Sequence, residues 1–244
     1  MQGNMLIKVC GMRDAKNISE LSRLDVNLMG LIFYPKSPRF VSQVPSRAGI
    51  IPDYTREQLR EARKQMSNTA EKNVPEDTER KIKRVGVFVD EMPQSIITRV
   101  YNFNLDYIQL HGHEEPLLID NLRRTLDPDI HKGIKFIKAI SVSSVNDIAT
   151  YKQYEGKADL FLFDTKCKTV GGSGEQFDWS VLDAYDGNTP FLLSGGIGPE
   201  DVERVKAFNH PKCIGIDLNS RFETSPAVKD IESLRGFVEA VRGL

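Results

Sequence analysis

The sequence predicts an α/β protein built as one closed (βα)8 barrel, and two observations favour this fold class. Eight short runs rich in β-branched and aliphatic residues recur along the 244 residues, and segments with helical spacing lie between them. Most of these runs are continuously apolar, as is typical of parallel strands that are buried on both faces. An open doubly wound sheet is the alternative, but the count of eight and the lack of an early GxGxxG phosphate loop favour the barrel.

The predicted strands are the eight apolar runs themselves. They cover residues 6–11, 28–34, 84–90, 106–112, 133–140, 160–165, 190–197 and 213–220. Helix start signals occur between them: Asp14 is a candidate N-cap, Pro93 and Pro199 stand where helices begin, and weaker helical segments follow the fifth and sixth strands. The sequence therefore predicts a helical segment after each strand.

One segment interrupts this regular alternation within a single domain spanning residues 1–244. A highly charged stretch at about 53–84 separates the second and third strands, and its first half has helical spacing through Leu59, Ala62 and Met66. We interpret the stretch as a solvated surface insertion, with a partner-binding role as the alternative.

Composition excludes several classes of function. The 33 basic and 34 acidic residues nearly cancel, giving a net charge of -1 and no electrostatic reason to expect nucleic acid or an anionic membrane as a partner. The three cysteines lack metal-like spacing and are odd in number, so we expect reduced thiols and a cytoplasmic location. No signal peptide or membrane anchor is indicated.

Polar and glycine residues cluster where the predicted strands end, the position of functional residues in this fold. Glycines follow the sixth and seventh strands at 171–174 and 195–196, with Ser173, Ser194 and Ser220 close by in the sequence. Backbone N–H groups in such loops can bind a phosphate, whereas ordinary turn glycines are the alternative. Two glycine clusters in neighbouring loops favour the phosphate site.

Asp164 and Cys10 are the candidate proton-transfer groups. A carboxylate that ends the apolar strand "LFLFDT" faces desolvation, which favours its protonated form, although Asp164 could simply cap the next segment. Cys10 could pack as a small hydrophobe, but it is the last strand residue before Gly11 at the functional end. We expect Arg13 and the start of the first helix to favour its thiolate, and Gly11 to leave space for substrate.

Two further polar residues are candidates for substrate binding. Arg39, in "YPKSPRF", suits a carboxylate or phosphate because its guanidinium binds planar anions through two parallel bonds, although a surface arginine is the alternative. His111 either orients substrate or hydrogen-bonds at its strand end. An aspartate, a cysteine and a histidine on different strands do not form a recognisable metal site.

Taken together, the segments "KVCGMRD", "MGLIFYPKSPRFV", "VGVFVDE", "YIQLHGHE", "FLFDTK…GGSGEQFDW" and "FLLSGGIGPEDV" resemble the phosphoribosylanthranilate isomerase family. The resemblance extends from the first strand to beyond the eighth and leaves out the charged insertion. It implies a TIM barrel and an aldose–ketose isomerase, an intramolecular oxidoreductase that uses no metal or organic cofactor. The implied reaction is the Amadori rearrangement of N-(5-phosphoribosyl)anthranilate to 1-(2-carboxyphenylamino)-1-deoxyribulose 5-phosphate, the third step from chorismate in tryptophan biosynthesis.

The resemblance also implies roles for individual residues. Cys10 corresponds to the general base and Asp164 to the general acid, while Arg39 is expected near the anthranilate carboxylate. The substrate-binding residues that we predict are Arg39, His111, Gly172, Ser173, Gly174, Ser194, Gly195, Gly196, Asn219 and Ser220. Two positions depart from the family pattern, because Arg221 and Ala227 stand where glycine is usual.

Two other functions remain as alternatives. A Schiff-base aldolase would use Lys8 or Lys138, which lie on the first and fifth predicted strands. A catalytically silent barrel would bind a phosphosugar without turnover. In each case the partner is a small-molecule phosphosugar, and the chain is expected to be a monomer or a homodimer.

Overall fold

The computed structural model describes residues 5–46, 49–52, 82–127, 130–165 and 178–243. Most of the predicted charged insertion, the predicted phosphate residues Gly172, Ser173 and Gly174, and Cys167 lie outside these ranges.

Eight parallel strands close into a barrel, which confirms the predicted fold class. In chain order they are β1 Leu6–Val9, β2 Leu28–Ile32, β3 Lys83–Phe88, β4 Tyr107–Leu110, β5 Lys135–Val142, β6 Leu160–Thr165, β7 Phe191–Ser194 and β8 Cys213–Leu218. The first and last strands close the ring, with pairs running from Leu6–Gly215 to Val9–Leu218. β3 begins at Lys83, so the last two residues assigned to the insertion are part of the barrel.

Helices follow most strands but differ in length. They are α1 Ala15–Leu21, α2 Pro93–Phe103, α3 Pro116–Leu126, α4 Val145–Ile148, α5 Val202–Ala207 and α6 Ile231–Arg242. The predicted cap at Asp14 is confirmed, because its carboxylate accepts the backbone N–H of Asn17 at 2.8 Å. The weak segments are short: α4 continues as a 3₁₀ turn over Ala149–Gln153, and only the 3₁₀ turn Trp179–Ala184 is described between β6 and β7.

Two short antiparallel hairpins lie outside the barrel and were not predicted. One pairs Gln43–Ser46 with Gly49–Pro52, and the other pairs Glu223–Ser225 with Val228–Lys229. Each strand has two to four residues, too few for a hydrophobic period to be recognised. We call the second one the β8 hairpin, because it follows β8 and carries residues that reach the site.

Strand alternation divides the apolar core into two layers. Leu160 and Leu162 belong to a cluster inside the barrel, whereas Phe161 and Phe163 pack in the layer between barrel and helices. Cys10 belongs to the inner cluster. This alternation therefore places the Cys10 thiol in the barrel interior rather than among the helices.

The two ends of the chain meet at the amino-terminal side of the barrel. Arg242, in the last turn of α6, donates to the Met5 carbonyl at 2.6 Å and to Asn27 Oδ1 at 2.9 Å. The same Asn27 oxygen accepts the backbone N–H of Ile7 at 2.9 Å. The closing helix is thus tied to β1 and to the loop before β2. None of the helices in the described part of the chain is long and apolar enough to cross a membrane.

Candidate active site

A cavity of about 180 Å³ opens where the barrel strands end. It brings together these predicted residues: Cys10, His111, Asp164, Ser194, Gly195, Gly196, Asn219 and Ser220. Gln109, Asp217 and Arg221 also line it, together with a few apolar side chains. A larger depression of about 400 Å³ lies on α3 and contains none of the predicted residues. The chemistry therefore belongs to the cavity at the strand ends.

Glycines at two positions fix the surroundings of the thiol. A Cβ on Gly30 would lie 2.6 Å from Cys10 Sγ, so the space beside the sulfur exists because this residue of β2 has no side chain. Gly11 has φ +79°, and a Cβ there would lie 2.6 Å from Arg39 Cδ and 2.8 Å from Asn219 Oδ1. Gly11 therefore makes room for Arg39 and Asn219, rather than for the approach of a substrate to the thiol as the sequence suggested.

The charges around Cys10 differ from those predicted. Burial raises the pKa of its thiol, the Lys8 and Lys229 ammonium groups act to lower it, and Asp217 acts to raise it. Arg13 is not among the charged groups that shift the pKa of Cys10. Its guanidinium donates to the Pro38 carbonyl at 3.3 Å, and the residue is exposed. The predicted support from Arg13 is therefore wrong, and buried lysines take its place.

Lys8 lies at the centre of a buried polar network. Its side chain is 0% exposed, and its Nζ donates to Asp217 Oδ1 at 2.7 Å. Ser194 Oγ donates to the second oxygen of that carboxylate at 3.2 Å. Burial alone would lower the pKa of Lys8, but Asp217 and Cys10 raise it above the usual value. Asp217 was missed, although a carboxylate inside the apolar run "CIGIDL" is a usable signal.

This network bears directly on the aldolase alternative. A Schiff base requires a neutral amine that the substrate carbonyl can reach. Lys8 is a buried ammonium held by Asp217, and Lys138 is held by Glu114 at 2.8 Å with its side chain 3% exposed. Neither lysine lines the cavity. The structure therefore does not favour a lysine nucleophile.

Asp164 faces His111 across the cavity. His111 Nε2 lies 3.7 Å from Asp164 Oδ2, and His111 Nδ1 is 2.9 Å from Gln109 Nε2. Because an amide nitrogen can only donate, Nδ1 accepts and a neutral His111 carries its proton on Nε2, toward Asp164. The Asp164 side chain remains 19% exposed, so its predicted desolvation is partial. Gln109 was missed, although it is the one polar residue within "YIQL".

Arg39 lies beside the site but does not line the cavity. Its Nη2 is 2.6 Å from Glu223 Oε2, and its Nε donates to Glu223 Oε1 at 2.9 Å. Lys229 Nζ binds the same carboxylate at 2.6 Å and Asn219 Oδ1 at 2.8 Å. The β8 hairpin therefore supplies the carboxylate that holds Arg39, together with a second, buried cation.

At the end of the cavity near β7 and β8, glycines leave the main chain uncovered by side chains. Gly195 has φ +107°, and a Cβ there would lie 2.0 Å from the Thr165 carbonyl oxygen, so only glycine fits. Gly196 has φ +67° with open space where a Cβ would be. Arg221 lines the same end and forms an ion pair with Glu200. Among the residues that the structure describes, no group of histidine, cysteine and acidic side chains could hold a metal ion.

Comparison with known proteins identifies similar chains. The family model described as N-(5'-phosphoribosyl)anthranilate (PRA) isomerase matches residues 48–240. An N-(5'-phosphoribosyl)anthranilate isomerase of Parabacteroides distasonis is 41% identical over 237 residues, which cover 97% of this chain and 93% of that protein.

Solved structures agree with this similarity. A phosphoribosyl anthranilate isomerase in complex with reduced 1-(o-carboxyphenylamino)-1-deoxyribulose 5-phosphate is 26% identical, with TM-score 0.68 and coverage of 98% of this chain and 100% of that one. Monomers generated from the dimeric enzyme of Thermotoga maritima are 26% identical, with TM-score 0.67 and the same coverage.

Proposed function

The chain belongs to the N-(5'-phosphoribosyl)anthranilate isomerase family, and on that premise we propose which residues carry the reaction. The activity is the Amadori rearrangement of N-(5-phosphoribosyl)anthranilate to the 1-deoxyribulose 5-phosphate derivative, a step of tryptophan biosynthesis. The reaction needs a proton donor at the ribose ring oxygen and a base at the sugar C2. The observation that carries our assignment is that Cys10 and Asp164 line one cavity from β1 and β6.

Asp164 acts as the general acid. It gives its proton to the ribose ring oxygen, the C1–O bond breaks, and the anthranilate nitrogen forms a Schiff base with C1. The cavity position of its carboxyl group beside His111 supports this role, because the histidine Nε2–H faces the carboxylate that remains after transfer.

Cys10 acts as the general base. Its thiolate takes the proton from C2, the electron pair moves toward the protonated Schiff base, and an enolamine forms. Tautomerisation of the enolamine to the ketone then gives the product. Because no electrons leave the substrate, the step requires only positioned acid and base groups, each contributing about 10²–10⁴-fold.

The remaining predicted residues bind the two ends of the substrate. Arg39 binds the anthranilate carboxylate, because a planar guanidinium suits a carboxylate group. To do so, Arg39 either binds this carboxylate together with that of Glu223 or exchanges Glu223 for it. The backbone of Gly195 and Gly196 and the turn at Asn219–Ser220 bind the phosphate, together with residues 172–174. The open backbone at Gly196 supports this assignment.

Two substitutions test the assignment. Cys10→Ala and Asp164→Asn should each reduce kcat by about 10²–10⁴-fold while binding of a reduced product analogue persists. Rescue of a tryptophan auxotroph that lacks this step gives a second measurement, with growth by the unsubstituted chain and none by Cys10→Ala. Unchanged turnover in either variant would remove that residue from the mechanism, and binding without turnover by the unsubstituted chain would favour the silent barrel.

We place the reaction in the cytoplasm, with a small phosphosugar as the partner and no nucleic acid or membrane. The relative from Thermotoga maritima is described as dimeric, and for this chain a monomer or a homodimer is expected. Sedimentation velocity over a range of protein concentrations distinguishes the two states.

A further inference from the structure

The proposed base raises a physical difficulty. Cys10 is 4% exposed and lies in the apolar inner cluster, where a thiolate is disfavoured relative to a thiol. A group that abstracts a proton from carbon must nevertheless be ionised first. The site therefore needs a fixed positive charge close to the sulfur.

Lys8 satisfies this requirement by its position in β1. Residues two apart on a strand point to the same side, so the side chains of Lys8 and Cys10 both enter the barrel interior. The Lys8 ammonium is hydrogen-bonded to Asp217 at 2.7 Å, and Asp217 and Cys10 line the same cavity. It is 0% exposed, so water screens its charge very little.

The other charges near the sulfur come from β8, from the β8 hairpin and from Arg39 after β2. Asp217 on β8 disfavours the thiolate, whereas Lys229 on the β8 hairpin favours it. Lys229 is itself bound to Glu223, which also neutralises Arg39 beside Gly11. Of these groups Lys8 is the one on the same strand as Cys10, two residues away and pointing to the same side.

We propose that Lys8 is a positioning residue for the reaction: it supplies the counter-charge that allows the Cys10 thiolate to form, while Asp217 and Ser194 hold its ammonium in place. The thiol releases its proton to water in the cavity, and the resulting thiolate takes the proton from the sugar C2. This inference rests on the role of Cys10 in the proposed function. It goes beyond that role because it assigns a function to Lys8, which does not contact the substrate.

The test measures the ionisation of Cys10 without substrate. Alkylation by iodoacetamide is followed by mass spectrometry of the Cys10 peptide across pH, in the unsubstituted protein and in Lys8→Met. We expect the Lys8→Met rate near pH 7.5 to fall about tenfold, with the midpoint of its pH profile moving upward by about one pH unit. The pH profile of kcat should move by the same amount, with KM nearly unchanged.

Lys138→Met is the matched control. Lys138 is also a buried lysine on a barrel strand, paired with Glu114 at 2.8 Å, and it does not line the cavity. If loss of any buried lysine disturbed Cys10, both variants would shift the profile, and the proposal would be overturned. We expect the Lys138→Met midpoint to match that of the unsubstituted protein.

A second variant covers the case in which Lys8→Met does not fold. Lys8→Met with Asp217→Asn removes both charges and leaves no unpaired carboxylate in the barrel. The proposal requires the Lys8 ammonium to outweigh the Asp217 carboxylate at the sulfur, so the midpoint should still move upward, by less than in the single variant. An unchanged midpoint in the double variant overturns the proposal. Full activity of Cys10→Ala would overturn the proposed function instead, and the alkylation result would still be readable.

Discussion

Single atoms decide the geometry around the proposed base. The space beside Cys10 Sγ exists because residue 30 has no Cβ, which would lie 2.6 Å from the sulfur. The main chain at Ala227 shows the opposite situation: φ is +69°, a conformation that suits glycine, yet an alanine occupies it and is 1% exposed. These two positions give predictions of opposite sign.

Gly30→Ala should displace the thiol and reduce kcat by about tenfold or more, because small misplacements of reacting groups are costly. We also expect a loss of about 1–3 kcal/mol in the free energy of unfolding from the crowded interior. Gly236→Ala in α6 is the control, since its added Cβ meets nothing within 4 Å. That variant should keep its kcat and gain up to about 1 kcal/mol in urea unfolding. Normal turnover by Gly30→Ala would contradict the prediction.

Ala227→Gly should stabilise the protein by up to about 1 kcal/mol, because glycine adopts the left-handed conformation without the Cβ clash. Urea unfolding at constant pH measures the change. Ala240→Gly, in the helical interior of α6, should lower stability by about 1 kcal/mol and shows that glycine is not stabilising in general. A loss of stability in Ala227→Gly would show that the native backbone there is not strained.

Among the elements, the β8 hairpin has the most direct link to the site. It places Glu223 between Arg39 and Lys229, both within hydrogen-bond distance of its carboxylate. Burial alone would raise the pKa of Glu223, but the bonds from these two cations lower it below its usual value. The β8 hairpin thereby couples the orientation of Arg39 to the protonation state of Glu223.

The depressed pKa of Glu223 predicts the sign of a pH effect. Its contribution to stability is present above the unfolded-state value, near 4.5, and is lost as pH falls through the lower folded-state value. Glu223→Gln should therefore cost about 3 kcal/mol at neutral pH, and the difference from the unsubstituted protein should shrink in acid. Urea unfolding at several pH values measures this. An equal difference at all pH values would contradict it. Glu232→Gln is the control, because the Glu232 side chain on α6 is exposed.

Local elements could be predicted from the sequence because their signals are local. Apolar runs identified every barrel strand, and Asp14 identified its cap. The pairs Lys8–Asp217 and Arg39–Glu223 could not be predicted, since their members are 209 and 184 residues apart. The spacing of apolar residues along the sequence carries no information on such distant pairs. The link between Lys8 and Cys10 was missed although the two are only two residues apart, because strand alternation inside a closed barrel has to be applied before both side chains are seen to share the interior.

At the scale of the whole molecule, closure joins the two ends of the chain. Arg242 binds the Met5 carbonyl and Asn27, and Asn27 in turn binds Ile7. Arg242→Ala should cost about 1–3 kcal/mol, because it removes the part-buried hydrogen bonds to the Met5 carbonyl and to Asn27. Urea unfolding and amide exchange in β1 measure the effect, and kcat at low temperature should not change. Arg235→Ala, whose partner Glu232 is 3.7 Å away at the surface, should cost less than about 0.5 kcal/mol. Equal losses in the two variants would contradict a special role for Arg242.

The pairing of β1 with β8 has a consequence for how the protein is made. A ribosome synthesises Lys8 209 residues before Asp217. Until β8 emerges, the nascent barrel exposes the unpaired edges of β1 and β7. The Lys8 ammonium also lacks its ion-pair partner Asp217 until then. The thiol and its counter-charge are thus assembled only after β8 has been synthesised, and a product truncated before β8 would be both inactive and prone to aggregate.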